Sequence, residues 1–492
     1  MITACIASKD LPSLLSRQDS QVLPINQDSV LVKGILPLTE EHPEQSGVYP
    51  LADGKDAFIA RLALVDAAHD SLDLQYYIWH DDISGHLLFQ HIYQAAQRGV
   101  RVRLLLDDNN GAGKDDLLMQ LNAHKNIEVR LFNPFMQRKL RYLGFLTDFS
   151  RLNRRMHNKS LTVDGVTSII GGRNIGDEYF NAGNGVVFAD MDVAVIGAIV
   201  PEIAQDFDRY WNSQSSYPID LIVNKPVDKP FPVQHELDGE TQDYVQRLQK
   251  SDFAQKIAHQ DISFIWADST FVSDNPAKGL AQSKDTENVL AELVPIMQAA
   301  KKHLVIVSPY FVPTDKGCDL LESIAGRGVD VSVLTNSYAA NDVGLVHSGY
   351  TKYRERLLKA GIKLYELKPE VTVRQKNDTF RKSGGASLHA KTFEIDDQQL
   401  FVGSFNMDPR SAQLNTELGA IFTVPELAQK MTQNLAAHSE SVYKVSLTPA
   451  GHLQWSTVEA GQVIRFDTEP HTNLFKRTLL KIYGFLPIEW LL

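Results

Sequence analysis

At 492 residues the chain is long enough for two domains or two fused halves, and its 43% hydrophobic content is that of an ordinary globular protein. A formal net charge of -11 argues against nucleic acid as the main partner, because phosphate binding normally demands a basic field. Only Cys5 and Cys318 are present, so there is no disulfide framework and no cysteine metal site, and no run approaches the roughly 20 apolar residues that span a bilayer.

In chain order, residues 1–47 are polar, rich in Ser, Gln and Pro, and read as a loosely held N-terminal arm. Ile2-Thr3-Ala4-Cys5 matches the pattern that precedes lipid attachment in bacterial lipoproteins. The basic and apolar regions of a signal peptide are missing upstream, so the match reads as coincidence. Residues 48–213 form a first half. Phe58, Leu62, Val65 and Ala68 recur at helical spacing and lead into a strand at 71–79. Ser84 is a good N-cap for the next helix, which carries Leu88, Phe89, Ile92, Ala95 and Ala96 on one face and stops at Gly99. Buried strands follow at 100–108 and 127–132.

Segment 214–260, with several prolines, is a connection. The order then repeats in a second half over 261–445: a helix near Val289–Ala300, then strands at 303–311, 327–337 and 361–369. Arg98-Gly99-Val100 returns as Arg327-Gly328-Val329 at an offset of 229 residues. Such self-similarity means a duplicated α/β unit, with right-handed crossovers and a largely parallel sheet in each half. Residues 446–492 form a tail.

The duplication is sharpest at two motifs. One holds His157, Lys159, Asp164, Gly171, Gly172 and Asn174; the other holds His389, Lys391, Asp396, Gly403, Ser404 and Asn406, with the histidines 232 residues apart. In an extended strand alternate residues share a face, so each histidine points the same way as its lysine. A turn at Asp164-Gly165 leads into a second apolar strand, the glycines allow a close backbone approach, and Asn174 can return to the site as a donor. The aspartates sit at strand turns and read as structural members of the motif. Asp107 and Asp108 either form a metal pair or cap the next helix. Arg410 and Ser411 either touch substrate or brace their loop.

The paired motif resembles the phospholipase D superfamily. The surrounding stretches YYIWHDDISG, FSRLNRRMHNKS, GGRNIGD and GSFNMDPRSAQLNTELG resemble more narrowly the bacterial cardiolipin synthases, especially their C-type branch, from about Tyr49 onward. The resemblance implies two fused α/β sandwich halves related by a pseudo-twofold axis, with one active site at their interface. It implies His157 as nucleophile and His389 as general acid and base, with the symmetry leaving the reverse assignment open. Lys159, Lys391, Asn174 and Asn406 would hold the phosphate oxygens, and no metal or cofactor is implied. Asp192 and Glu417 are the candidates to fix each histidine's tautomer, with a reach across to the opposite half left open.

Two stretches bear on substrate. Between Arg138 and Arg155, the basic residues Arg138, Lys139, Arg141, Arg151, Arg154 and Arg155 oppose the single acid Asp148 and alternate with Tyr142, Leu143, Phe145, Leu146 and Phe149. Segment 473–492 joins Lys476, Arg477 and Lys481 to an apolar face and Trp490. Both suit an anionic membrane surface, and both are also compatible with ordinary core carrying solvated charge. The implied activity is phosphatidyl transfer from phosphatidylethanolamine or phosphatidylglycerol to phosphatidylglycerol, at the bacterial inner membrane as a peripheral protein. A hydrolytic phospholipase D, a nuclease and a non-catalytic membrane scaffold are the alternatives. An accessory protein is among the partners left open.

Overall fold

The structure, a computed structural model, describes residues 10–183, 187–233, 237–284, 286–341, 343–369, 386–437, 440–484, 486 and 488–492. The Ile2-Thr3-Ala4-Cys5 pattern lies outside the described residues.

Each half is built on three parallel strands joined by helical crossovers. In the first these are Ser71–Tyr76, Arg101–Asp107 and Ile127–Phe132. In the second they are His303–Val307, Asp330–Asn336 and Lys363–Leu367. The motif strands join antiparallel. Ser160–Val163 lies against Ser71–Tyr76 and turns back into Thr167–Gly171, and Thr392–Ile395 lies against His303–Val307 and turns back into Gln399–Gly403. The expectation of largely parallel sheets therefore holds only for the central strands. A tight turn, with Asp164 at φ 50 and Gly165 at φ 67, leaves no room for the crossover that a parallel neighbour needs.

The first sheet runs Ile265–Ala267, Ser46–Leu51, Asp192–Gly197, Thr167–Gly171, Ser160–Val163, Ser71–Tyr76, Arg101–Asp107, Ile127–Phe132, Ser216–Pro218. The second follows the same order through Ser269–Ser273, Leu418–Thr423, Gln399–Gly403, Thr392–Ile395, the three central strands and Val442–Leu447, then adds Leu453–Glu459 and Gln462–Phe466. The chain thus changes sheets at Asp268, between Ala267 and Ser269. Residues 446–466, read as tail, complete the second sheet instead, because alternating apolar residues such as Trp455 bury against it.

Outer faces of the sheets pack on helices: Leu72, Leu74 and Tyr76 meet Phe58, Leu88 and Ile92, while Leu304 and Ile306 meet Leu293 and Leu321. Inner faces meet each other, with Ile170, Val193 and Val195 packed on Leu400, Val402, Leu418 and Phe422. This shared core joins the two sheets into one packed body.

Residues 10–47 are less loose than their composition suggests. Arg17 donates to the carbonyls of Asn212, Ser213 and Ser216, Ser29 caps the helix Val30–Glu40, and Ser46–Leu51 is a strand of the first sheet. Asp82, rather than Ser84, caps the helix Ile83–Gln97: its Oδ1 accepts from the backbone N of Gly85 at 2.9 Å. Among the described residues no helix is long and apolar enough to cross a membrane.

Candidate active site

Both motifs leave the turn at their aspartate in the same way. Asp164 accepts from the backbone N–H groups of His69, Asp70 and Ser71, and also from Ser29 Oγ at 2.9 Å. Asp396 accepts from Lys301, Lys302 and His303 in the same pattern. Each carboxylate ties the motif hairpin to the first residues of the neighbouring strand, at the end remote from the histidine. Three backbone donors hold Asp396 below its ordinary pKa, against the opposing pull of burial. These two aspartates shape the hairpins and lie outside the site.

His157 and His389 come together at the seam, each 7% exposed, with Lys159 and Lys391 each 1% exposed. The two motifs are interlocked by backbone. His157 N donates to Thr416 O at 2.8 Å, Thr416 N to Arg155 O at 2.9 Å, and His389 N to Ala189 O at 2.8 Å. Side chains cross in the same sense. His157 Nδ1 lies 2.8 Å from Glu417 Oε2, and His389 Nδ1 lies 2.5 Å from Asp190 Oδ2. Each histidine is therefore oriented by a carboxylate from the opposite half, and Nε2 is the nitrogen left for chemistry.

Asp190 is not the residue that the sequence singles out. Asp192 accepts from Arg61 at 2.8 Å and from the backbone N of Arg173 at 3.1 Å, and is fully buried with them. Asp190 precedes by two residues the strand that begins at Asp192, so the two have the same parity and sequence alternation cannot choose between them. The repeat can: the pairing of Gly171 with Asp192 and of Gly403 with Gly419 makes Asp190 the counterpart of Glu417. The motif glycines serve this strand. A Cβ on Gly172 would stand 2.1 Å from Asp190 Oδ1, and one on Gly171 would stand 2.3 Å from Asp192 Oδ1.

The carboxylates differ in charge state. Burial pushes Glu417 up to about 7, against the pull of Lys159. Asp190 is held well below the carboxylate range because His389, Lys391 and Arg173 outweigh its burial. Burial and the two lysines drive His157 well below its ordinary pKa, and burial followed by Lys391 lowers His389, with Asp190 pulling the other way. Lys159 is likewise driven well down by burial. An anion placed between these groups would reverse that trend and hold the ammonium charges in place.

Aromatic rings that the sequence does not mark wall the site. Tyr77 stands edge-on to His157 at 5.0 Å, with Lys159 Nζ 5.3 Å from its centroid; Phe188 stacks on His389 at 5.2 Å and Tyr179 stands edge-on at 5.1 Å. Ser404 Oγ donates to Glu417 Oε2 at 2.5 Å. Asn174 is occupied: its Oδ1 accepts from Ile78 N at 3.1 Å and its Nδ2 donates to Tyr179 at 2.8 Å, so it positions a wall ring. Asn406 is buried with Oδ1 unpartnered, and its backbone N donates to Ser411 Oγ at 3.3 Å.

The basic approach is largely neutralised, mostly by acids outside the stretch itself. Arg138 pairs with Asp108 and Asp115, Arg141 with Asp108 at 3.0 Å and Asp115 at 3.1 Å, Arg151 with Asp148 at 2.6 Å, and Arg155 with Asp107 at 2.9 Å. Asp107 and Asp108 thus answer arginines. Arg155, at 1% exposure, is a brace, since Asp107 also accepts from the backbone N of Met156 at 2.7 Å. Arg154 donates to Gln413 O at 2.7 Å and has no acidic partner among the described residues, and Lys139 is exposed. Arg410 braces the seam by donating to Asn153 O at 2.7 Å. Trp490 stands against Phe149 at 6.3 Å.

Two α/β halves with matching strand order, each histidine bound across the seam by the other half's carboxylate, define a phospholipase D-like protein. The family model described as cardiolipin synthase, PLD-like domain, matches residues 62–211 and 293–438, and the chain belongs to that family. It is 45% identical over 473 residues to cardiolipin synthase C of Escherichia coli (strain K12), covering 94% of this chain and 99% of that protein. It is 33% identical over 456 residues to an uncharacterized protein of Helicobacter pylori (strain ATCC 700392 / 26695), covering 91% and 90%. The crystal structure of phosphatidylserine synthase from Haemophilus influenzae Rd KW20 shares the fold, with a TM-score of 0.58 at 14% identity over 93% of this chain and 99% of that one.

Proposed function

We propose that the protein is a phosphatidyl transferase that makes cardiolipin, taking a phosphatidyl group from phosphatidylethanolamine or phosphatidylglycerol and giving it to the free glycerol hydroxyl of phosphatidylglycerol. It works as a peripheral protein at the bacterial inner membrane. The observation that carries this reading is the pair of histidines, each fixed at Nδ1 by the other half's carboxylate, beside two buried lysines in a chain so similar to a cardiolipin synthase.

In the first step Nε2 of His157 attacks phosphorus, a P–N bond forms, the P–O bond to the head-group alcohol breaks, and His389 gives that oxygen a proton. In the second, His389 takes the proton of the acceptor hydroxyl, the acceptor oxygen attacks phosphorus, and the P–N bond breaks. The assignment follows the charge asymmetry. His157, low in pKa beside a carboxyl raised to about 7, favours a neutral imidazole suited to attack. His389 beside an ionised Asp190 is the better holder of a proton. Lys159 and Lys391 stabilise charge on the non-bridging oxygens as the leaving and attacking oxygens exchange.

Purified protein given labelled phosphatidylglycerol in vesicles, with and without phosphatidylethanolamine, is expected to form cardiolipin. Phosphatidic acid as the sole product would make it a hydrolase, and vesicle binding without any turnover would make it a scaffold; either result sinks the proposal.

A further inference from the structure

The two stretches that suggest lipid in the sequence lie far apart in the chain and meet at one contact. Phe149 contacts Trp490 ring to ring at 6.3 Å, and Arg410 binds both sides of the junction, donating to Asn153 O at 2.7 Å and, through its backbone N, to Leu492 O at 2.8 Å. The second stretch is seated firmly. Leu492 is buried against Gly349, where a Cβ would stand 2.8 Å from Leu492 Cδ1. Glu489 accepts from Tyr353 at 2.9 Å and pairs with Lys352 at 3.2 Å. The helix Leu474–Gly484 packs on Gly344–Thr351.

What these anchored segments turn outward is apolar. Tyr142 is 66% exposed, Leu146 74%, Phe475 74%, Ile482 54% and Trp490 49%. Phe475 and Ile482, seven residues apart, lie on one side of their helix. Exposed apolar side chains of this size on segments joined through the Phe149–Trp490 contact are more than the scattered single residues of an ordinary surface. The charge around them runs against that of the whole chain. The first stretch carries six basic residues against one acid, the second has Lys476 and Arg477 beside Glu489, and the net charge is -11 overall. Asp107, Asp108, Asp115 and Asp148 pair with four of the six, leaving Lys139 exposed and Arg154 without an acid among the described residues, and Lys476 is exposed on the second stretch. Segment 138–155 immediately precedes His157 in the chain.

We infer that this composite face, built from 139–149 of the first half and from 474–484 and 488–490 of the second, is the surface by which the protein docks on an anionic lipid bilayer, with Leu146, Phe475 and Ile482 entering the acyl boundary and Lys139 and Lys476 meeting lipid phosphates. Aliphatic and aromatic side chains ringed by lysines are the chemistry that anionic membrane interfaces recognise. The inference deepens the reading of the protein as a lipid transferase, because a face that straddles both halves presents the seam to lipid substrates.

The test uses full-length protein, the variants L146S and F475S/I482S, and sedimentation with vesicles of phosphatidylcholine alone or with one third phosphatidylglycerol. Wild type is expected to bind the anionic vesicles at least tenfold better than the neutral ones, and each variant to lose at least tenfold in that binding with its melting temperature unchanged. Turnover of a monomeric short-chain phosphatidylglycerol should stay within twofold, since none of the three residues belongs to the site. Undiminished vesicle binding by the variants would overturn the inference. So would a dimer that the substitutions dissolve, because the face would then belong to a second copy. Loss of vesicle binding in a protein that makes no cardiolipin would uphold the docking face while the transferase reading failed.

Discussion

Replacing Asp190 with Asn, beside the parallel change Asp192→Asn, separates the residue that serves catalysis from the one that serves the fold. Asp190 Oδ2 lies 2.5 Å from His389 Nδ1, both groups buried. A charge-assisted hydrogen bond of this kind is worth about 1.5–3 kcal/mol. At 1.36 kcal/mol per factor of ten, its loss should lower kcat by about 10- to 150-fold. The sign of the pH effect is also fixed. Burial and Lys391 already lower the His389 pKa, and Asp190 is the group opposing them. Without it the pKa falls further, so the limb of the kcat profile that needs protonated His389 moves to lower pH. Asp192→Asn should behave differently, because it leaves Arg61 and Arg173 buried beside a neutral amide. Breaking such a pair costs about 3–5 kcal/mol, so its melting temperature should drop while the folded fraction keeps its pH profile. Steady-state rates from pH 5 to 9 and thermal melts of both variants make the comparison. Near-normal kcat in Asp190→Asn, or a shifted profile at unchanged stability in Asp192→Asn, would refute the reasoning.

Gly172→Ala puts a Cβ 2.1 Å from Asp190 Oδ1, so it should displace the carboxylate and reproduce the kcat loss and pH shift of Asp190→Asn; wild-type kinetics in this variant would show that the strand has room to spare. Burial raises Asp408 to about 7 and Glu417 to about 7. The folded state therefore holds protons that the unfolded chain has already released, and these groups stabilise fully below about pH 4 and progressively less as pH rises through about 7. Asp408→Asn keeps a side-chain oxygen for the backbone N of Ser411 and removes one titration, so its melting temperature should fall less steeply than wild type between pH 4.5 and 7. A slope equal to wild type would mean that Asp408 is ionised throughout.

The duplication, both histidines and both lysines are legible in the sequence because they repeat at fixed spacing, and the strand order of one half predicts that of the other. Glu417 is legible for the same reason once its counterpart is known. Asp190 is not, because the choice between it and Asp192 depends on how the strand after residue 190 is registered against Gly171 and Gly172. The basic stretch misleads in the opposite direction. Its arginines look like a phosphate-binding approach until folding brings Asp107, Asp108 and Asp115 to them from the ends of a strand and a helix. Antiparallel motif strands were foreshadowed by the Asp-Gly turn, yet the surrounding crossovers suggested parallel pairing. Composition misjudged residues 10–47 because their hold comes from single polar anchors such as Arg17 and Ser29, which leave no hydrophobic pattern.

The claim that both motifs form one site with unequal histidines is tested most directly by trapping the covalent intermediate. Enzyme quenched during turnover of phosphatidylglycerol labelled at phosphorus should carry an acid-labile, base-stable phosphoryl bond, and peptide mapping should place it on His157, with none formed by His157→Ala. Label on His389, or steady product formation with no labelled histidine in a quench fast enough to catch it, would contradict the account.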